Sequence, residues 1–337
     1  MKGSSMFRSF ALVATVATVI TASTAALAAD PKLVLPAIAP TAAPTVTAIA
    51  GTPLTINVGS DHTFQIRNSA IPGAGQIYPS AATATADMGW FVRIGATKFA
   101  PDFSQHPGGT ATGNIGTNTA WTPGALGALT GTGTTASPFK VTVTNALPGT
   151  TLNSSQEINY VNGENFFRKK FTLSNSGASA ITATVFLGAD IYLAASDNGI
   201  PQRISGSPGG KDCGAGTYNI LLIPQGALGP VAYSATNYGT VWAEIGAGAL
   251  SNTVGTTCVD NGAALQWSVT IPAGGSNTVE AATSFGAIPT TIITPPVEIV
   301  VGPSIGVPTM STIALALLIF GMIGIGAGLG RSRRRRE

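Results

Sequence analysis

Alternation dominates the second half of the chain. Phe167, Lys169, Phe171 and Leu173 fall on one side of a run whose other side carries Arg168, Lys170, Thr172 and Ser174. A period of two places one set on a buried face and the other on an exposed face of a strand. Asn175-Ser176-Gly177 supplies turn chemistry, after which Ile181, Ala183, Val185 and Leu187 resume the alternation against Thr182 and Thr184. Together they predict a β-hairpin. A second hairpin is predicted where Leu265, Trp267, Val269 and Ile271 alternate with Gln266, Ser268 and Thr270, and Pro272-Ala273-Gly274-Gly275-Ser276 turns the chain into residues 278–283. Shorter strands are expected at 54–58, 62–67, 90–94, 139–144, 191–194, 218–223 and 241–245.

No segment before residue 311 sustains an apolar period of 3.6. Many short strands joined by Gly-rich turns predict an all-β, antiparallel sandwich, either one large unit or two fused, over residues 51–286. The hairpins resemble those of immunoglobulin-like bacterial surface modules. Residues 29–50, with Pro31, Pro36, Pro40 and Pro44, read as a Pro/Ala/Thr-rich spacer. Residues 287–306, with Pro289, Pro295, Pro296 and Pro303, read as a stalk. Between Phe99 and Pro138 the Gly/Thr/Asn-rich stretch reads as a long loop with Phe103, Trp121 and Leu126 as anchors.

The two ends carry targeting signals. Lys2 and Arg8 form a positive n-region before an apolar stretch. Ala26-Leu27-Ala28 offers signal peptidase a cleavage site, so residues 1–28 are expected to be removed on export. At the other end, Val307-Pro308-Thr309-Met310-Ser311 precedes an uncharged run, 312–330, of a length that spans a hydrocarbon core. Arg331, Arg333, Arg334, Arg335 and Arg336 then close the chain with Glu337. Such a cluster stays cytoplasmic, which puts the body on the far side of the membrane.

Motif, span and arginines in residues 307–337 together resemble the IPTL-CTERM sorting signal of Gram-negative bacteria. Valine stands for the motif's isoleucine and methionine for its leucine, and Ile313-Ala314 stand where a Trp-Gly pair is usual. The resemblance implies recognition by an exosortase-like membrane enzyme. Surface display or release would follow, in company with extracellular polysaccharide.

Charge separates these ends from the body. The chain's formal +3 hides a body of net −3 between residues 29 and 310, because the leader and the tail hold the surplus cations. A nucleic-acid partner is therefore not expected, since no basic face remains for it. The two cysteines, Cys213 and Cys258, are expected to form one disulfide in an oxidising compartment. A catalytic thiol would need a base, and His62 and His106 lie far upstream.

Candidate sites are few. Asp197-Asn198-Gly199 and Asp260-Asn261-Gly262 are turn signals with hard oxygen donors, and a disulfide would draw Asp212 toward Asp260. Asp212, Asp260 and Asn261 are accordingly the calcium candidates. Glu157, Glu164, Asp190 and Glu244 are the carboxylates available for glycoside chemistry, with no spacing that singles out a pair. Among Trp90, Trp121, Trp242 and Trp267, the loop residue Trp121 is the one expected to be exposed as a sugar-stacking platform. The Arg168-Lys169-Lys170 run is expected to face solvent. No catalytic motif stands out and no cofactor is called for, so the expectation is a body without enzymatic activity. Its role would be structural or adhesive at the envelope, and the alternative is a carbohydrate-binding or carbohydrate-active module.

Overall fold

The computed structural model describes residues 44–72, 85–102, 105–106 and 115–286. The leader, the stalk, the 307–311 motif, the 312–330 span and the arginine cluster lie outside the described residues. No helix among the described residues is long and apolar enough to cross a membrane.

Strands β1 (Val46–Ala50), β2 (Leu54–Gly59), β3 (Thr63–Asn68), β4 (Ala86–Ile94), β5 (Thr97–Ala100) and β6 (Thr119–Ala120) come first. They are followed by β7 (Thr122–Leu126), β8 (Phe139–Ala146), β9 (Leu152–Tyr160), β10 (Phe166–Asn175) and β11 (Ile181–Asp190). Next come β12 (Asn198–Ile204), β13 (Ser207–Asp212), β14 (Asn219–Gln225) and β15 (Ala232–Asn237). Helix α1 (Tyr238–Ala247) precedes the two long strands β16 (Val259–Ile271) and β17 (Ser276–Phe285).

The strands form two sheets. One runs β1-β2-β3-β4-β11-β16-β15, with β5 and β6 continuing beside the end of β4. The other runs β7-β8-β9-β10-β17-β14-β13-β12. Every pairing is antiparallel except β5 with β6, and β12 also touches the start of β16, closing one end. The seventeen strands among the described residues exceed the roughly seven to nine of one immunoglobulin sandwich. A single apolar cluster takes residues from both sheets, from Ile49 to Phe285. The sheet begins at Val46, inside the stretch read as spacer, because Ile49 is fully buried.

The sheets meet through aromatic rings. Trp90 of β4 stacks on Phe171 of β10 with centroids 4.9 Å apart, and Phe64 of β3 meets the edge of Phe167 at 5.9 Å. His62 sits edge-on to both Phe171 and Trp121, at 5.3 and 5.4 Å. Each such ring buries a large apolar area, and the edge and offset geometries add about 0.5–1.5 kcal/mol per pair beyond that.

Both predicted hairpins are corrected by the pairing. The strands are present with the expected faces, but β10 pairs with β9 and β17 in one sheet, while β11 pairs with β4 and β16 in the other. In the same way β16 and β17 belong to different sheets. The turns at 176–180 and 272–275 therefore carry the chain across the sandwich. Alternation decides which face is buried, and two strands on opposite sheets satisfy it as well as two neighbours do.

Three further expectations change. No strand forms at 191–194, where an isolated bridge joins Leu193 and Ser196. The 99–138 loop contains β6 and β7 as well as the end of β5. The strand expected at 241–245 is part of α1, capped by Asn237 Oδ1 accepting from Gly239 N at 3.0 Å. Gly248 ends it at φ 88°, its N–H reaching the carbonyls of Glu244 and Ile245. Arg93 adds a guanidinium contact to the carbonyl of Ala247.

Val241, Trp242 and Ile245 pack on the outer face of the first sheet with Phe91, Phe186 and Ala264. Gly188 makes room for them, since a Cβ there would lie 2.7 Å from Ile245 Cδ1 and 2.8 Å from Trp242 Cζ3. Gly188→Val should therefore lift the helix and lower stability by about 1–3 kcal/mol in urea unfolding, while an unchanged midpoint would show that the helix yields freely.

Candidate functional site

The second sheet turns one face to the core and one outward. Val141, Val143, Leu152, Ile158, Phe171 and Leu173 point inward, so their strand neighbours Thr142, Thr144, Asn153, Ser155, Thr172 and Ser174 form the outer face. Register sets these hydroxyls side by side, with Thr144 opposite Ser155 and Thr172 opposite Thr278. The last two hydroxyls lie 2.9 Å apart. Near the β7 edge this face dips into a groove of about 330 Å³ lined by Thr122, Thr144, Ala146, Asn153, Ser155 and Ser174 among others. No charged or aromatic side chain lines it. Charge collects further along the same face, where Lys170 stands in register between Glu157 and Glu280.

The tryptophans do not serve such a surface. Trp121 is 3 % exposed, against the expectation of an exposed loop platform. Its strand position between β6 and β7 turns it into the core beside His62 and Phe99. Trp90, Trp242 and Trp267 are also buried.

The carboxylates expected as glycoside candidates are not gathered. Glu164 forms an ion pair with Arg168 at 2.9 Å. Glu157 on β9 accepts from Asn159 at 2.8 Å. Glu244 on α1 accepts from the Ser251 hydroxyl at 2.6 Å. Asp190, at the end of β11, is buried.

The Arg-Lys-Lys run is split by the strand. Lys170 is exposed and Arg168 is held by Glu164, but Lys169 is 1 % exposed, which corrects the solvent-facing expectation. It shares the inward face with Phe167 and Phe171, as the alternation implied. Its Nζ contacts Thr283 Oγ1 and lies 5.3 and 5.0 Å from the ring centres of Phe64 and Phe167. Burial pushes this amine well below its ordinary pKa, since an unpaired ammonium is costly in an apolar interior.

The two histidines hold the β2–β3 turn. Asp61 Oδ2 lies 2.7 Å from His106 Nε2. Burial alone would raise the Asp61 carboxyl, but the hydrogen bond and charge of His106 and the hydrogen bonds of Thr63 outweigh it and keep it low. His62, in the left-handed region at φ 69°, points the other way. Ser154 Oγ lies 2.7 Å from His62 Nε2 and 3.2 Å from the carbonyl oxygen of Asn145. The pair is buried and ties the β2–β3 turn of one sheet to β9 of the other. Burial pushes the His62 pKa down to about 3, with Asp61 opposing weakly.

At the other end, Cys213 and Cys258 are disulfide-bonded with Cα atoms 5.6 Å apart, as expected. Asp212 is not brought to Asp260. Its Oδ1 accepts from Tyr218 N at 2.6 Å and its Oδ2 from Gly216 N at 3.0 Å, and strand β12 stands between the two. Asp260 meets Asp197 instead. Burial and then the charge of Asp197 push the Asp260 carboxyl up to about 6, and burial raises Asp197 as well.

No family model matches the sequence, and no curated protein matches it. Solved structures similar to the chain include a protein described as a kojibiose phosphorylase from the human microbiome, at 8 % identity and a TM-score of 0.38, over 71 % of this chain and 29 % of that one. A bacterial glucoamylase complexed with acarbose matches at 11 % and 0.39, over 72 % and 33 %. A protein of Escherichia coli K12 described as an aldose 1-epimerase matches at 8 % and 0.36, over 73 % and 100 %. The chain thus spans about a third of the first two. The expectation of a body without enzymatic activity is corrected here, because the structures it resembles are described as enzymes. Similarity at this level names no reaction for this chain.

Two pH dependences follow from the buried bases. The unfolded chain takes up a proton on His62 below pH about 6.5 and the folded chain only near 3, so stability falls as pH drops through that window, by at most roughly 1.4 kcal/mol per unit. His62→Gln should remove that part of the slope in acid-titrated urea melts. An identical slope in the variant would mean that His62 is protonated in the fold. Lys169 works the same way at high pH. Its folded pKa lies below the unfolded value, so stability rises with pH between that lowered pKa and about 10.5. Lys169→Met should flatten that rise, and a persisting rise would place the charge elsewhere.

Proposed function

We propose that the chain is an exported, membrane-sorted cell-surface protein whose sandwich lies against extracellular polysaccharide. The body's part in this rests on one observation, the uncharged hydroxyl and amide groove on the outer face of the second sheet. Sugar hydroxyls both donate and accept hydrogen bonds, and Ser, Thr and Asn side chains answer both roles without imposing a charge. With the tryptophans buried, recognition works by hydrogen bonding over a broad surface and not by ring stacking. Such contacts are individually weak and suit a protein that meets a repeating polymer at many points.

Export and sorting rest on the leader, the 307–311 motif, the apolar span and the arginines. Signal peptidase and an exosortase-like enzyme are the processing partners in this reading. The mature protein reaches the cell surface, or is released, once the tail has been recognised.

Fractionation with intact-mass measurement of the native protein tests the sorting half. A product ending near Thr309, with Pro308→Ala retaining the arginine tail in the inner membrane, supports it. Glu337 retained in both proteins contradicts it. Co-sedimentation with polysaccharide from the same cells tests the body. Asn153→Arg with Ser155→Arg should lower the bound fraction roughly ten-fold, which ~1.4 kcal/mol of lost contact would give, with the melting temperature unchanged. Equal binding would remove the groove from the account.

A further inference from the structure

Strand register carries the hydroxyl face beyond the groove. The pairings of β8, β9, β10 and β17 set their outward side chains in rows that cross all four strands. One row runs Thr144, Ser155, Thr172 and Thr278. The row beside it runs Ala146, Asn153, Ser174 and Ser276. Neither row holds a charge or an aromatic ring, and each of its residues is exposed or half-buried. Ser276 and Thr278 lie outside the lining of the groove, so the neutral surface continues onto β17, which the groove does not reach.

A charged row borders this surface on one side only, where Thr142, Glu157, Lys170 and Glu280 stand in register. Its charges are answered within the same face. Lys170 stands between the two glutamates, and Lys140 Nζ lies 3.9 Å from Glu157 Oε2. Arg168 is held by Glu164 at 2.9 Å. Lys140, Arg168 and Lys170 are thus matched by Glu157, Glu164 and Glu280. A face that compensates its own charge has little field with which to gather a polyanion. An acidic polymer would have to win cations that are already paired.

The spacing of the grid is set by the pleat. Along a row the step is the distance between strands, about 4.8 Å, and between rows it is two residues, roughly 6.7 Å. A polymer laid across the strands therefore meets side-chain hydroxyls and amides at a constant step along both of its edges. A polymer in extended form presents its own hydroxyls along two edges, whereas a coiled one turns most of them out of the plane. The Thr172 and Thr278 hydroxyls lie 2.9 Å apart, so one proton joins them and the other is free to donate outward. Thr144 has a different task, since its Oγ1 accepts from Ala125 N at 3.0 Å and belongs to the β7–β8 edge.

We propose that the ligand of this face is a neutral glycan in extended form, lying across β8, β9, β10 and β17 along the two uncharged rows with one end seated in the groove. The proposal rests on the polysaccharide reading and narrows it in two respects. The polymer carries no charge, and its footprint extends past the groove to β17.

Surface plasmon resonance of the full chain in detergent tests this, on immobilised hydroxyethyl cellulose, alginate and polysaccharide from the same cells. The cellulose surface should hold the wild-type chain equally at low and high salt, because uncharged contacts are not screened, and the alginate surface should not hold it. Ser276→Arg with Thr278→Arg should weaken retention on cellulose about three-fold, with the melting temperature unchanged. Ser276→Arg alone, at an exposed position, should give a smaller loss of the same sign and keeps the test readable if the pair unfolds. Full retention by both β17 variants, while Asn153→Arg with Ser155→Arg loses it, would confine the polymer to the groove and overturn the proposal with the polysaccharide reading intact. Salt-sensitive binding to alginate in preference to cellulose would overturn the neutral class. No binding to any of the three surfaces would remove the polysaccharide reading and this proposal together.

Discussion

Contact between the rings of Trp90 and Phe171 is what makes two sheets into one molecule. The first belongs to β4 and the second to β10, and around them Trp267, His62 and Trp121 complete an aromatic layer across the gap. Neither sheet could bury its inner face alone. The chain threads back and forth across this layer, and the turns after β10 and after β16 exist to deliver the next strand to the opposite sheet. A body with so few charged residues can still fold this way, because the ring layer supplies apolar area that its many Ala, Gly, Thr and Ser residues do not.

Polar groups inside that layer are tolerated only in neutral or tied form. Lys169 is the clearest case, an amine flanked by two phenylalanine rings with the Thr283 hydroxyl as its partner. His62 reaches across to Ser154 and thereby fixes the β2–β3 turn against β9. At the disulfide end Asp197 and Asp260 lie close enough for the charge of one to raise the pKa of the other.

Much of the strand content was legible because period-two alternation follows directly from the pleat. It placed β10, β11, β16 and β17 correctly, and it also put Lys169 on the same side as Phe167 and Phe171, a placement then set aside in favour of the habit of charges to face water. Strand partners were not legible, since a face assignment is indifferent to whether the next strand lies beside or opposite. Helix α1 escaped notice because Gly239, Thr240, Val241 and Gly246 are poor helix formers. Its signals were the Asn237 cap, Gly248 at its end and the apolar trio Val241, Trp242 and Ile245. Trp121 looked exposed because β6 and β7 are too short to announce themselves. Of the polar sites, Asp260 and Asn261 were visible as turn residues, but that Asp197 and not Asp212 lies near Asp260 depends on β12 lying between β13 and β16.

Cross-strand disulfide formation tests the crossing of the sandwich most directly. Thr172 and Thr278 are in register on β10 and β17, whereas a hairpin through Asn175-Ser176-Gly177 would set β10 beside β11. In oxidised protein, Thr172→Cys with Thr278→Cys should bond readily, and Thr172→Cys with Thr184→Cys should stay reduced. Bonding of the second pair in place of the first would contradict the two-sheet account.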